Sequence, residues 1–197
     1  MKQELEVIKQ NVINCTKCDL CKTRTNSVPG KGNFQSDVIF VGEAPGRNED
    51  KNGEPFIGIA GKKLSIALDE AGISRESIYI TNVVKCRPPK NRVPNTAERN
   101  TCQEYLKQEI SIIKPKIICI LGNTAFSSIL GGSEITKFRG KIVRKDNQLY
   151  FLTIHPAATI YNQELIDVLK KDIIKLFENI REIKKGKEIA IDIEYAP

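Results

Sequence analysis

The chain has 197 residues, 40% of them hydrophobic, and a net charge of +7 from 31 Lys and Arg against 24 Asp and Glu. That length suffices for one α/β domain with a sizeable core, and the mixture excludes a disordered, collagenous or low-complexity chain. No apolar run approaches the roughly 18 to 20 residues that cross a bilayer, and the charged opening MKQELEVIKQ has no signal-peptide core, so a soluble intracellular protein with no membrane partner is expected. The basic excess permits an anionic partner, nucleic acid first, without establishing one.

Residues 3 to 13 read as a short helix whose apolar face is Leu5, Val7, Ile8 and Val12. A cysteine segment and a Gly/Asn/Ser-rich loop carry the chain to about residue 36. DVIFVG (37–42) is a compact β-rich run and predicts a buried strand. It opens into a long polar stretch, residues 43–60, whose glycines and prolines argue against a regular element; a connection of that length favours a functional loop. A helix over 62–71 ends at Gly72, which suits a left-handed cap. SIYITNVV (77–84) is the second strand. The loop KCRPPKNRVPN leads to a helix over 96–113, with Asn95 as its cap and Glu98 completing a capping box. KIICILG (116–122) is the third strand and NTAFSSIL a short helix. Residues 141–145 and 149–154 form a hairpin or adjacent strands, the second running into HPAAT. The last strong helix spans 162–180 on Leu165, Ile166, Leu169, Ile173, Ile174 and Leu176, and the tail is loose or adds an edge strand.

Strands alternating with helices at this spacing predict a three-layer α/β/α architecture around a mostly parallel sheet, with one domain over 1–181 and a tail over 182–197. Ligands on such sheets bind beyond the carboxyl ends of the strands. The loops at 43–60, 85–95 and 155–161 all fall on that edge.

The cysteines are the first chemical signal. Cys15 and Cys18 form a CxxC pair, Cys21 continues the same spacing, and Cys86 and Cys102 follow much later; Cys119, inside KIICIL, reads as a small buried hydrophobe. Four thiolates suit tetrahedral zinc or a [4Fe–4S] cluster, and spacing alone does not choose between them. The chain has one histidine, so the ligands would be all sulfur; unrelated reduced thiols are the bland alternative. Lys17, Lys22, Arg24, Lys85 and Arg87 nearby read as a basic surface. Neither GxxxxGK[ST] nor GxGxxG is present, which disfavours ATP or dinucleotide use. Glu43, at the end of the first strand, is an active-site carboxylate or an ordinary capping group. Phe56, an aromatic in a glycine-rich polar loop, stacks on a flat base or pins the loop to the core. The planar amide of Asn82 suits a ligand edge offering one acceptor and one N–H. His155 directly follows the apolar run YFLTI, where an imidazole can donate to a developing oxyanion; a purely structural histidine is the alternative.

Taken together, Cys15-x-x-Cys18, GEAPGRNED with GEPFIG (42–58), TNVVKCRPPKNR (81–92), Cys102 and HPAAT (155–159) resemble the family 4, iron–sulfur uracil-DNA glycosylases of archaea and thermophilic bacteria. The resemblance runs from residue 15 to 159. It implies a uracil-DNA glycosylase fold with a central four-stranded sheet and one [4Fe–4S] cluster on Cys15, Cys18, Cys86 and Cys102. It also implies that Phe56 stacks on uracil, that Asn82 hydrogen-bonds O4 and N3–H, and that His155 approaches O2. Glu43 then lies at the glycosidic edge, Gly42 belongs to the base-binding set, and Glu49 helps exclude the C5 methyl of thymine. Ala44 stands where the best-known uracil glycosylases carry a water-positioning aspartate, which passes that role to Glu43, Asn91 or backbone groups. HPAAT lacks the usual serine and the leucine wedge, leaving Ile160 or Tyr161 to fill the vacated base stack. Arg87, Lys90 and Arg92 are the candidate phosphate contacts. The implied activity is monofunctional: uracil leaves single- or double-stranded DNA and an abasic site remains for base excision repair. A monomer in a prokaryotic cytoplasm, associated with the nucleoid, is expected. A sliding clamp is the candidate protein partner, although no clear docking peptide stands in the chain. The rival readings are a non-enzymatic, metal- or Fe–S-stabilised nucleic-acid-binding module, which leaves Glu43, Phe56, Asn82 and His155 idle, and an electron-transfer protein.

Overall fold

Two runs of β-branched residues set the centre of the molecule. Val38–Gly42 and Ile117–Leu121 are buried at every position, the signature of strands covered on both faces. In the computed structural model, which describes residues 1–195, the chain opens with α1 (Lys2–Ile13), β1 (Lys31–Gly32) and β2 (Val38–Gly42). It continues through α2 (Arg47–Asn52), α3 (Ile59–Glu70), β3 (Tyr79–Asn82), α4 (Thr96–Ile113), β4 (Ile117–Leu121) and α5 (Asn123–Leu130). The remaining elements are α6 (Ile135–Phe138), β5 (Ile142–Lys145), β6 (Gln148–Thr153), α7 (Ala158–Tyr161), α8 (Leu165–Lys184) and β7 (Ile193–Glu194). Residues 196 and 197 of the tail lie outside the described residues.

The strand order is β1-β3-β2-β4-β6-β5-β7. Its centre, β3-β2-β4-β6, is parallel, as the alternation of strands and helices predicts, and has the four strands that the family resemblance implies. Three short strands extend it: β1 antiparallel to β3, β5 antiparallel to β6, and β7 parallel to β5. The hairpin between β5 and β6 turns at Asp146 and Asn147, both at positive φ (49° and 62°), as a tight two-residue hairpin requires. Alternation along the strands feeds two cores. Ile39, Val41, Ile118 and Ile120 pack toward α1, α4 and α5. Phe40, Ile117, Cys119 and Leu121 pack toward α3 and α8. The capping box of α4 is formed, with Asn95 Oδ1 accepting from Glu98 N–H and the Glu98 carboxylate accepting from Asn95 N–H.

The stretch 43–60 departs from the irregular loop expected. It contains α2, because its glycines stand at the ends of that helix and not within it: Gly46 is the extended N-cap and Gly53 closes it at φ 71°. Likewise α3 begins at Ile59, three residues early, with Gly58 as N-cap. The C-terminal helix begins later, at Leu165, after the separate turn α7, and runs past residue 181 to Lys184. Tail residues pair with β5, through Asp192 N–H to Ile142 O (2.9 Å) and Tyr195 N–H to Arg144 O (2.8 Å). Among the described residues no helix is long and apolar enough to cross a membrane.

Candidate active site

Parallel pairing aims the loops after β2, β3 and β6 at one edge, where they enclose a cavity of about 400 Å³. Glu43, Glu49 and Phe56 line it from the first loop, Asn82, Asn91 and Arg92 from the second, and His155, Ile160 and Tyr161 from the third. The β2–β3 ladder continues into the floor: Val83 N–H donates to Gly42 O (2.9 Å) and Val84 N–H to Glu43 O (3.0 Å). Gly42 therefore sits opposite Asn82. A Cβ on Gly42 would lie 2.5 Å from Phe56 Cζ and 2.6 Å from Asn82 Oδ1, so only glycine lets the ring and the amide share this space.

Asn82 is 2% exposed, and its Oδ1 is buried with no hydrogen-bond partner among the described residues. A stranded buried acceptor costs about 1–3 kcal/mol, which a ligand N–H would recover. Phe56 is buried with φ 54°, a left-handed backbone that an aromatic residue adopts only when its surroundings impose it. Arg75 imposes it here, donating Nη2–H to Pro55 O (3.0 Å) and Phe56 O (2.8 Å). Gly61 gives the Phe56 carbonyl room, since a Cβ there would come within 1.7 Å of it. The Phe56 ring faces His155, with centroids 5.9 Å apart and planes inclined by 32°.

His155 Nδ1 accepts a hydrogen bond from Ala157 N–H (3.1 Å), which leaves the proton of the neutral ring on Nε2. Burial pushes its pKa down to about 4, so at neutral pH the imidazole is an uncharged donor. Gly122, at φ 87°, makes room for it: a Cβ would meet His155 Cβ at 2.7 Å. The Glu43 carboxylate accepts from the Thr124 hydroxyl on α5. Glu49 is buried, and its Oε1 accepts from Gly58 N–H (2.6 Å). Asn91 follows Lys90 in a pair of left-handed residues (φ 56° and 55°), and its Oδ1 accepts from Arg87 Nε–H (2.6 Å). Arg92 forms a bidentate pair with Glu98 (2.6 and 2.8 Å), so its guanidinium is committed within the protein, whereas Lys90 is exposed. At the rim Tyr161 is 91% exposed and Ile160 40%.

On the other side of the second loop, Cys86 and Cys102 are buried and Cys15 and Cys18 half-buried, all as free thiols. Burial, and next the neighbouring thiols, raise the pKa of Cys18 and Cys86; Cys102 is pushed up to about 11 by burial, with Cys86 and Cys15 adding to the shift. Cys86 and Cys102 belong to one buried cluster, and Cys15 and Cys18 pack against it. Arg24, expected as basic surface, turns inward instead: Nη1–H donates to Cys86 Sγ (2.9 Å) and Nη2–H to the carbonyls of Ile13 (3.0 Å) and Cys15 (2.9 Å). Lys85 is likewise not surface but 1% exposed, and its backbone N–H donates to Cys102 Sγ (3.2 Å). Among the described residues no three Cys, His, Asp or Glu side chains converge tightly enough for a single metal ion. Tetrahedral zinc, with Zn–S near 2.3 Å, needs sulfurs about 4 Å apart. An iron–sulfur cluster is gripped at separate iron atoms and takes thiolates standing further apart, and the all-sulfur donor set with N–H groups aimed at it suits that group. Cys119 is fully buried in the sheet, far above its ordinary pKa through burial, and behaves as a hydrophobe.

Thr124, Arg75, Gly61 and Gly122 escape sequence reasoning. Each acts through contacts that no local pattern signals, whether across the fold, as with Thr124 and Glu43, or around a tight turn, as with Gly61 and Phe56.

The family model of the Uracil DNA glycosylase superfamily matches residues 29–180. The type-4 uracil-DNA glycosylase of Sulfurisphaera tokodaii is 47% identical over 189 residues, covering 91% of this chain and 84% of that protein. That of Archaeoglobus fulgidus is 42% identical over 185 residues (89% and 93%). That of Thermotoga maritima is 43% identical over 176 residues (87% and 92%).

Proposed function

The chain belongs to the uracil DNA glycosylase superfamily and, within it, to the type-4 enzymes, and from that membership we propose that it hydrolyses the N-glycosidic bond of deoxyuridine in DNA, releasing uracil and leaving an abasic site. The observation that carries the site assignment is the unpartnered, buried Oδ1 of Asn82 at the floor of a cavity walled by Phe56 and His155.

Uracil, turned out of its strand, stacks on Phe56. Asn82 Oδ1 accepts from N3–H and its amide N–H donates to O4. Cytosine offers an amino group and an unprotonated N3, the reverse pattern, and leaves both groups unpaired. Glu49, fixed by Gly58 N–H, stands against the C5 methyl of thymine. As the C1′–N1 bond breaks, its electrons pass into the base and charge gathers on O2. The Nε2–H of neutral His155 binds that oxygen more strongly in the transition state than in the ground state. A donor of this kind contributes about 2.7–4 kcal/mol. The sugar becomes cationic, and Glu43, anchored by Thr124, faces it. Glu43 and Asn91 orient the water that adds to C1′; its oxygen bonds the carbon as one O–H proton passes to Glu43 and on through solvent to the departing uracil anion. Lys90 and Arg87 hold phosphate, with Arg92 bracing their loop through Glu98, and exposed Tyr161 fills the vacated stack.

Cys15, Cys18, Cys86 and Cys102 would hold one [4Fe–4S] cluster, which when bound cross-links the N-terminal segment to the loop and helix that carry Cys86 and Cys102. The catalytic domain takes in residues beyond 181, since α8 runs on to Lys184 and residues 192–195 pair with β5. We read it as a monomer working on the DNA of a prokaryotic cytoplasm, with a sliding clamp as its candidate partner in repair. The test is a uracil-containing strand with a thymine control, with free base and backbone breaks measured separately. Uracil release with an intact, alkali-labile backbone is expected. No release by protein carrying its full iron complement would refute the enzyme and leave the nucleic-acid-binding module.

A further inference from the structure

Lys85 is an unusual residue to find where it is. Its ammonium group is 1% exposed and all three of its protons are used: it donates to Thr81 Oγ1, to the backbone oxygen of Asn82 (3.0 Å) and to Glu109 Oε2 (2.7 Å). Glu109, also 1% exposed, accepts in turn from Thr81 Oγ1 (2.9 Å), Gly30 N–H (3.0 Å) and Tyr79 OH (3.3 Å). The backbone of Lys85 is equally engaged. Its N–H donates to Cys102 Sγ (3.2 Å) and its carbonyl accepts from Val28 N–H (2.7 Å).

A buried ion pair of this kind is a weak source of stability, because desolvating two charges offsets most of their attraction, and an apolar pair of similar volume often folds as well. Its position is more informative than its charge. One residue grips the sulfur of a candidate cluster ligand through its backbone and, through its side chain, the carbonyl of the residue whose amide faces the cavity. The peptide plane of Asn82 sets where its Oδ1 points, and a misplacement of about 1 Å costs on the order of a hundredfold in rate.

We propose that Lys85 is a positioning residue, holding the Asn82 backbone so that its amide meets the base edge in register and tying that register to the cysteine site through Cys102. This rests on the reading of Asn82 under Proposed function.

The single change Lys85→Met strands the Glu109 carboxylate, so the informative comparison is Lys85→Met with Glu109→Gln against Lys85→Gln with Glu109→Gln. Both pairs are uncharged. They differ in whether residue 85 can donate to the Asn82 carbonyl. With iron content and cooperative melting retained, the Met pair should lose about 10- to 100-fold in kcat and about tenfold in inhibition by free uracil, while affinity for abasic DNA stays within about twofold. The Gln pair should recover several-fold of both losses. Equal impairment of the two pairs, wild-type behaviour in the Met pair, or a kcat loss that only tracks lost iron would each overturn the proposal. Should the pairs fail to fold, Thr81→Val removes one ammonium partner and keeps the charges; a drop in kcat with iron unchanged is expected there, and an unchanged kcat overturns the proposal. The wild-type protein runs alongside with uracil DNA, and its failure to release uracil would overturn the functional reading itself.

Discussion

Lowering the pH from 7 toward 4 addresses one ring in this protein, because His155 is its only histidine. In the folded state burial holds its pKa near 4 against an ordinary 6.5. Between those values the unfolded chain binds a proton that the folded protein refuses. The stability associated with the neutral ring is therefore complete above pH 6.5, declines as the pH falls, and is lost by about pH 4. The gap corresponds to at most roughly 3 kcal/mol, or a fall in melting temperature of about 6 to 12 °C for a chain of this size. A His155→Gln variant, which lacks the titration, supplies the baseline against which carboxylates titrating in the same range cancel. Activity should follow the folded-state value. Protonating Nδ1 would set two N–H donors, the ring's and that of Ala157, against each other and dislodge the ring. The profile of kcat/KM should thus run flat through pH 6.5 and fall only toward 4. The lone imidazole Cε1–H resonance reports the same titration without kinetics. A midpoint near 6.5 in that resonance, or half the activity gone at pH 6.5, would refute the assignment of His155 as a half-buried neutral donor.

Gly42→Ala places a methyl against Phe56 and the Asn82 amide together; kcat/KM should fall by about a hundredfold or more with about 1–3 kcal/mol lost from stability, read by steady-state kinetics and thermal melts. Wild-type kinetics in that variant would mean that the two side chains do not share the base-binding space. Cys86→Ser and Cys102→Ser should each lose bound iron and its visible absorbance and lower the melting temperature by more than about 6 °C, whereas Cys21→Ser should keep both. Iron retained at full occupancy in either of the first two would remove that cysteine from the ligand set.

The central strands were legible because burial on both faces writes itself as an unbroken run without polar residues, rich in Val and Ile, as in VIFVG and IICIL, and the start of α4 because Asn95 and Glu98 spell its cap locally. Helix α2 was not, since six residues lie below any periodic window and its flanking glycines imitate a loop. The same contrast divides the cavity. Asn82 and His155 stand at or just beyond the ends of recognisable strands, so topology alone sends them to one edge. Thr124 meets Glu43 across 81 residues and Arg75 meets Phe56 across 19; those partnerships exist only once the sheet has assembled. Lys85 shows the limit most directly. Composition counts it with the surface charges, and nothing local to KCRPPK reveals that Glu109, on α4, waits to neutralise it in the interior.

The order of strands across the sheet has a consequence for when activity can arise. The floor of the cavity comes from residues 42 and 82, but β6 and His155 arrive some seventy residues later and are separated from β2 by β4. Parallel strands joined by such crossovers close long loops before native contacts reward them, which makes their assembly slow and late. A chain still emerging from the ribosome lacks both the outer central strand and the His155 wall of the cavity until residue 155 has cleared the exit tunnel. Residues 42, 56 and 82 therefore emerge well ahead of the wall that His155 supplies, and the cavity closes only after β4 and β6 have joined the sheet.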